Sequence, residues 1–262
     1  MDRHSALSGP SLLLLVAVTA AACSGATAAD RSPAPAATSF DCDVKQRTLV
    51  VGASGSEQSE SFTQFVHHVT AEFAASSLAC GTEFVVAMAS GSDSAIVLAE
   101  ETFASLSLDR LPNERARQHR IQNRADELRT IVDTRLNDAR QALVGTDTSS
   151  VVRLYDVAAE RTRPGSRVVL ITDGVHTADE VDLNRVLEPD EGPQLAGQLP
   201  APSLPVDVEV TISGLTQVDA TTDVPGDTWT REVVAFNDTF CRRVATTCTT
   251  YTAATVQEAL GR

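Results

Sequence analysis

Aromatic rings and positive charge are both scarce in this chain. Eight Phe, two Tyr and one Trp make up 4% of 262 residues, and 21 Lys and Arg stand against 35 Asp and Glu, a formal net charge of −14. Phosphates would repel such a surface, and it offers few rings on which bases could stack, so nucleic acid is not expected as a partner. The chain also lacks a Gly-Lys-Ser/Thr phosphate loop and any Cys/His set at zinc spacing. No apolar run beyond the leader is long enough to cross a bilayer. Attachment to a membrane would therefore have to come from a lipid anchor alone.

The leader reads as an export signal. Arg3 supplies a basic start, Leu12 to Val18 a short apolar run, and Thr19-Ala20-Ala21-Ala22-Cys23 a small-residue site. Small residues ahead of a cysteine resemble a bacterial lipoprotein cleavage site, which would place diacylglycerol on Cys23, although Ala20 stands where that site usually has Leu. An ordinary secretory cut near Ala26-Thr27-Ala28 is the alternative, and it would release the protein. Removing residues 1–22 takes away Asp2 and Arg3 and leaves the net charge unchanged. The expected layout is a signal peptide over 1–22, an anchor cysteine with an Ala/Ser/Pro-rich tether over 23–40, and one folded domain over 41–262. Localisation is expected at the outer side of the cell membrane. Four cysteines remain after Cys23: Cys42, Cys80, Cys241 and Cys248, an even number suited to two disulfides in an oxidising compartment.

The domain alternates strand and helix signals. Thr48 to Val51 is a short β-rich run. Phe62, Phe65, Val66, Val69 and Phe73 form one face of a helix, and Glu83 to Met88 is a second strand. Ser94 to Leu98 could pair with it antiparallel. Asn113 to Leu143 carries Ile121, Leu128, Val132, Leu136 and Leu143 at helical spacing; its length marks it as a possible insertion whose deletion would spare folding. A helix follows from Val151. A short one is expected around Asp179 to Leu187, then a loop over Glu188 to Pro205. Val206 to Ile212 alternates with polar residues, which predicts a half-exposed strand toward the sheet edge. A helix over Asp227 to Val244 and a strand near Cys248 to Thr252 finish the pattern. Repeated β-α units imply an α/β fold: a doubly wound, mostly parallel sheet with helices on both faces and room for one antiparallel edge strand. Helix and strand directions then put all four cysteines at the sheet's amino edge, paired Cys42–Cys80 and Cys241–Cys248. The tether would enter at that same edge, so the carboxyl edge should face away from the membrane.

The chemistry gathers at the other edge. Val168-Val169-Leu170-Ile171 is a buried-strand run that ends in Thr172-Asp173-Gly174, and the carboxyl edge of an open α/β sheet is where ligands bind. Ser54 and Ser56 leave the first strand, and Thr146, with Thr148 nearby, precedes a helix. Two serines at i and i+2, a threonine and an aspartate are hard oxygen donors that suit Mg²⁺ or Mn²⁺.

These residues resemble the metal-ion-dependent adhesion site of the von Willebrand factor A family, built from Asp-x-Ser-x-Ser, a distant threonine and a strand-ending Asp-Gly. The resemblance covers about 47–251 and implies a Rossmann-like fold, a cation held by Ser54, Ser56, Thr146 and Asp173, and a partner protein whose acidic residue completes the cation. Gly52 stands where the family has its first aspartate, so the chain brings one carboxylate fewer; Glu57, Asp93 and Asp147 are the acids that could compensate. The function expected is protein–protein interaction in the cell envelope. Two alternatives remain: a serine hydrolase with Ser54 as nucleophile, His176 as base and Asp173 or Asp179 as orienter, and a metal-free structural subunit of an envelope assembly. Outside that alternative, His176 reads as a solvated loop residue, and His67 and His68 as exposed.

Overall fold

The computed structural model describes residues 42–53, 60–90, 95–101, 107–142, 149–178, 180–217, 226–252 and 255–260. Six strands form one sheet: β1 (Gln46–Ala53), β2 (Glu83–Ser90), β3 (Ala95–Glu101), β4 (Arg167–Ile171), β5 (Glu209–Ser213) and β6 (Thr247–Tyr251), in the order β3-β2-β1-β4-β5-β6. The strands are parallel except β3, which runs antiparallel to β2. This is the strand order of doubly wound dinucleotide folds, with one edge strand reversed.

Period-2 alternation sorts each strand's side chains between two cores. Val50, Val168, Leu170, Val210 and Ile212 pack against α3 (Val151–Arg161), α4 (Glu191–Gln198) and α5 (Gly226–Val244). Leu49, Val51, Phe84, Val86, Val169 and Ile171 pack against α1 (Glu60–Cys80) and α2 (Glu114–Ala142), with the short α6 (Val256–Ala259) beside them. Both faces being covered, the central strands read as nearly continuous apolar runs.

α2 corrects the insertion reading. Ile121, Ala125, Leu128, Val132 and Leu136 are buried in the same core as α1's Phe62, Val66, Val69 and Phe73. The helix is therefore a wall of the core, and most of its charges lie on the outer face. His67 of α1 meets Asp133 of α2 at 3.0 Å, so this histidine is half-buried, whereas His68 is exposed as expected.

Three other expectations change. Residues 180–187 form no helix; Val181, Leu183 and Leu187 are buried at spacings of two and four, which is irregular loop packing. The segment expected as loop instead holds α4. Pro193 falls in its first turn, where a missing N–H costs nothing, and the Glu191 carboxylate accepts from the Glu188 N–H at 2.8 Å. β5 lies second from the edge, but it is not half-exposed: Thr211 and Ser213 on its polar face are buried as well. Val206 stands exposed before the strand, and Asp207 at φ 57° turns the chain into it.

Both disulfides form as expected: Cys42–Cys80 ties the entry of β1 to the end of α1, and Cys241–Cys248 ties α5 to β6. Near that amino edge the Thr162 hydroxyl at the end of α3 donates to the Thr48 hydroxyl of β1 at 3.0 Å, and the Arg163 N–H donates to Gln46 Oε1 at 2.9 Å.

Candidate functional site

β1 and β4 are paired in parallel, with Val51 opposite Ile171. Beyond this pair Thr172-Asp173 leaves the sheet at its carboxyl edge, beside Gly52-Ala53, which end β1 still paired with β2. From this pair the strand order runs outward in both directions, which makes the place a topological switch point, the position where open α/β sheets leave a crevice for a ligand.

Asp173 is fully buried there. Its Oδ1 accepts from the Val175 N–H at 2.9 Å, and its carbonyl accepts from the Thr216 N–H at 2.7 Å. Thr172 Oγ1 accepts from the Gly174 N–H at 3.0 Å. The two side chains thus close successive turns over their own backbone. Gly174 has φ 78°, and a Cβ there would lie 2.5 Å from Leu215 Cδ2 and 2.6 Å from Asn237 Nδ2. Asn237, buried in α5, donates through Nδ2 to the Gly174 and Val233 carbonyls at 3.0 and 2.8 Å. Only glycine fits both this backbone and this space.

His176 departs most from expectation. It is fully buried, with its ring centroid 6.0 Å from that of Phe236. Its Nδ1 accepts from the Val151 N–H at 3.2 Å, and its Nε2 donates to the Ala178 carbonyl at 3.0 Å. These partners assign the neutral Nε2–H tautomer. The imidazole is a helix cap: it satisfies one of the orphan N–H groups of α3, while Ser150 Oγ accepts from the Arg153 N–H at 3.3 Å. A two-way pair stands beside it, Ser149 N–H to Thr177 Oγ1 and Thr177 N–H to the Ser149 carbonyl, both at 2.8 Å. The loop leaving β4 is thereby stitched to the start of α3. Both ring nitrogens are thus engaged within the fold.

Of the expected cation ligands, Asp173 is described; Ser54, Ser56 and Thr146 lie outside the described residues, as do Thr148, Glu57, Asp93, Asp147, Asp179 and the anchor Cys23. Gly52 is buried in β1 and brings no donor. Among the described residues no three His, Cys, Asp or Glu side chains converge on a point where a metal ion could sit. Of the expected donors, the described residues supply the Asp173 carboxylate. Two open clefts lie elsewhere. One of about 390 Å³ lies between Val186–Pro189 and Gly226–Trp229, and one of about 330 Å³ is lined by Glu180, Val181 and Gln198–Pro200. Neither is lined by Asp173.

No protein-family profile matches the chain, and no curated protein matches it. Solved structures overlap it weakly. BatB from Bacteroides thetaiotaomicron is 12% identical, with 82% of this chain covering 93% of that one at a TM-score of 0.37. Proximal thread matrix protein 1 of the mussel byssus is 15% identical, with 84% of this chain covering 46% of that one at 0.35. An aerotolerance-related membrane protein from Bacteroides fragilis is 12% identical, with 82% covering 94% at 0.35. Overlaps this slight add nothing to the strand order described above.

Sequence reasoning missed His176 as a cap and Asn237 as a support. The His176 contact joins residues 25 apart in segments without periodicity, so only the order Asp-Gly-x-His pointed toward it. Asn237 sits on the buried face of α5 among Val233, Phe236 and Phe240, and a polar residue on an apolar stripe was a signal that could have been read.

Proposed function

We propose that this chain is a protein-binding domain of the cell envelope, held outside the membrane by lipid on Cys23, which docks its partner at the carboxyl edge around Asp173. The observation that carries the reading is the place of the Thr172-Asp173-Gly174 turn at the switch point, fixed by Asn237 behind it and by the His176 cap beside it. A rigid turn at the switch point suits a surface that is read by another protein. Among the described residues no helix is long and apolar enough to cross a membrane.

The finer form of the proposal is cation-assisted. Ser54, Ser56, Thr146 and Asp173 would hold Mg²⁺ or Mn²⁺ through hydroxyl and carboxylate oxygens, with an acid of the partner completing the shell. Gly52 favours the second form, in which the same edge binds without metal.

The test is Asp173→Asn, which keeps the acceptor for Val175 N–H and removes the charge. Envelope proteins are captured on the wild-type chain and on the variant, each with Mg²⁺ or with chelator. Loss of a specific partner in the variant supports the proposal, and an additional loss with chelator supports its cation-assisted form. A partner retained equally under all four conditions refutes docking through Asp173.

A further inference from the structure

The opposite edge of the sheet holds chemistry that the docking surface does not use. Arg47 lies in β1 on the side facing α1 and is only 6% exposed. Its Nη1 donates to Ser76 Oγ at 3.1 Å, and its Nη2 points at Cys80 Sγ at 3.9 Å. The Ser76 hydroxyl in turn donates to the Phe73 carbonyl at 3.0 Å, so the guanidinium is held in place from α1. Cys80 is half of the Cys42–Cys80 disulfide, whose other half, Cys42, is exposed. The second disulfide differs in both respects: Cys241 is fully buried, and no guanidinium is recorded against either of its sulfurs among the described residues.

We infer that Cys42–Cys80 is a thiol-exchange site, in which an external thiolate attacks the exposed Cys42 sulfur and Cys80 leaves as a thiolate stabilised by Arg47. A bond forms between the incoming sulfur and Cys42 Sγ. The Cys42–Cys80 bond breaks, and its electron pair goes to Cys80 Sγ. A second external thiol then attacks the mixed disulfide, leaves as the oxidised dimer and frees Cys42, so the two electrons come from the external thiols. Exchange runs faster when the leaving sulfur has a low pKa, and a cation beside a thiolate lowers that pKa. A buried cation is also the group with most to gain from an adjacent anion, because little water screens the pair. Among the described residues the other ionisable groups of this corner are Asp43 and Lys45, one and three positions after Cys42, Arg167, opposite Arg47 in β4 and bound to Glu209 at 2.8 Å, and Glu83, whose carboxylate is bound by Arg163 at 2.7 Å and by Gln46. Arg47 is the charge that faces Cys80 from the core. Reduction would release the entry of β1 from the end of α1 without touching the carboxyl edge, so this inference stands apart from the docking proposal.

The experiment uses the full chain treated with reduced glutathione, quenched at intervals by alkylation and read by peptide mass spectrometry. Cys42–Cys80 should open at least about tenfold faster than Cys241–Cys248, and the transient glutathione adduct should sit on Cys42. In a Cys42→Ser chain, the pH profile of Cys80 alkylation should have its midpoint below the ordinary thiol value of about 8.5. Arg47→Met should raise that midpoint by about one pH unit, a tenfold loss of thiolate at neutral pH, and Arg47→Lys should restore most of it. Circular dichroism identifies any variant that fails to fold, and the wild-type adduct position and relative opening rates test the inference without variants. Equal opening of the two disulfides, an adduct mainly on Cys80, or a Cys80 midpoint at or above the ordinary value would each overturn it.

Discussion

Replacing Gly174 by alanine tests the rigid turn directly. A left-handed backbone costs a residue with a Cβ about 1–2 kcal/mol. The added methyl would press on Leu215 and Asn237 at 2.5 and 2.6 Å, and overpacking of this kind costs about 1–3 kcal/mol. Displacing the Asn237 amide would break its bond to the Gly174 carbonyl, worth about 1 kcal/mol more. Together these give a loss of roughly 3–6 kcal/mol. Gly165 provides the control: its φ is 71°, close to that of Gly174, yet a Cβ there would meet nothing within 4 Å. Gly165→Ala should therefore lose only the backbone part, about 1 kcal/mol. In urea, with a slope of about 2 kcal/mol/M, the midpoint should fall by at least about 1.5 M for Gly174→Ala and by about 0.5 M for Gly165→Ala. The measurement is equilibrium unfolding with both disulfides intact, followed by tryptophan fluorescence from Trp229. Equal shifts in the two variants would refute the claim that contact with Leu215 and Asn237 is what demands glycine.

Leu128→Ala, at a fully buried position of α2, should cost about 2–5 kcal/mol in the same assay; a loss under 1 kcal/mol would return α2 to the status of an appendage. Tyr155→Phe should be neutral or stabilising by up to about 1 kcal/mol: the Tyr155 hydroxyl is buried without a hydrogen-bond partner among the described residues, and burial followed by the Asp238 charge raises its pKa well above 10.0. A clear loss of stability would show that the hydroxyl has a partner after all. Asp156 has its pKa raised from 3.8 by burial first, with Arg153 opposing and Glu160 assisting. Folding then disfavours its charged form, so Asp156→Asn should stabilise slightly at pH 7, by less than about 0.5 kcal/mol given its exposure. That gain should vanish as the pH falls below 3.8; thermal midpoints at pH 7 and pH 3 would check it, and a gain at pH 3 alone would contradict the sign.

The parts that sequence made legible share a physical cause. Val168 to Ile171 could be read because a strand covered on both faces needs apolar residues at every position, and Asp173-Gly174 because few other dipeptides turn a chain so sharply at a strand's end. The edge that carries the disulfides followed from strand direction, since alternating β and α returns the chain to one edge at known points. His176, α4 and the role of α2 were not legible for a converse reason. Each depends on a partner distant in the chain. His176 needs the Val151 N–H, α4 needs Glu232 of α5 to accept from the Gly192 N–H at 3.1 Å, and α2 needs the open flank of α1. Composition counted the prolines of 188–205 as loop, although where Pro193 falls in a helix matters more than its presence.

α3 is fastened at both ends. Its first N–H is held by His176 from the loop after β4, and its last turn is followed by Thr162 and Arg163, which are bonded to Thr48 and Gln46 of β1. Sliding it along its axis by even one residue's rise, about 1.5 Å, would stretch a bond at each end. The helix therefore behaves as a strut between two strands rather than as a piston. A load applied at the carboxyl edge would travel into the sheet through β1 and β4 together.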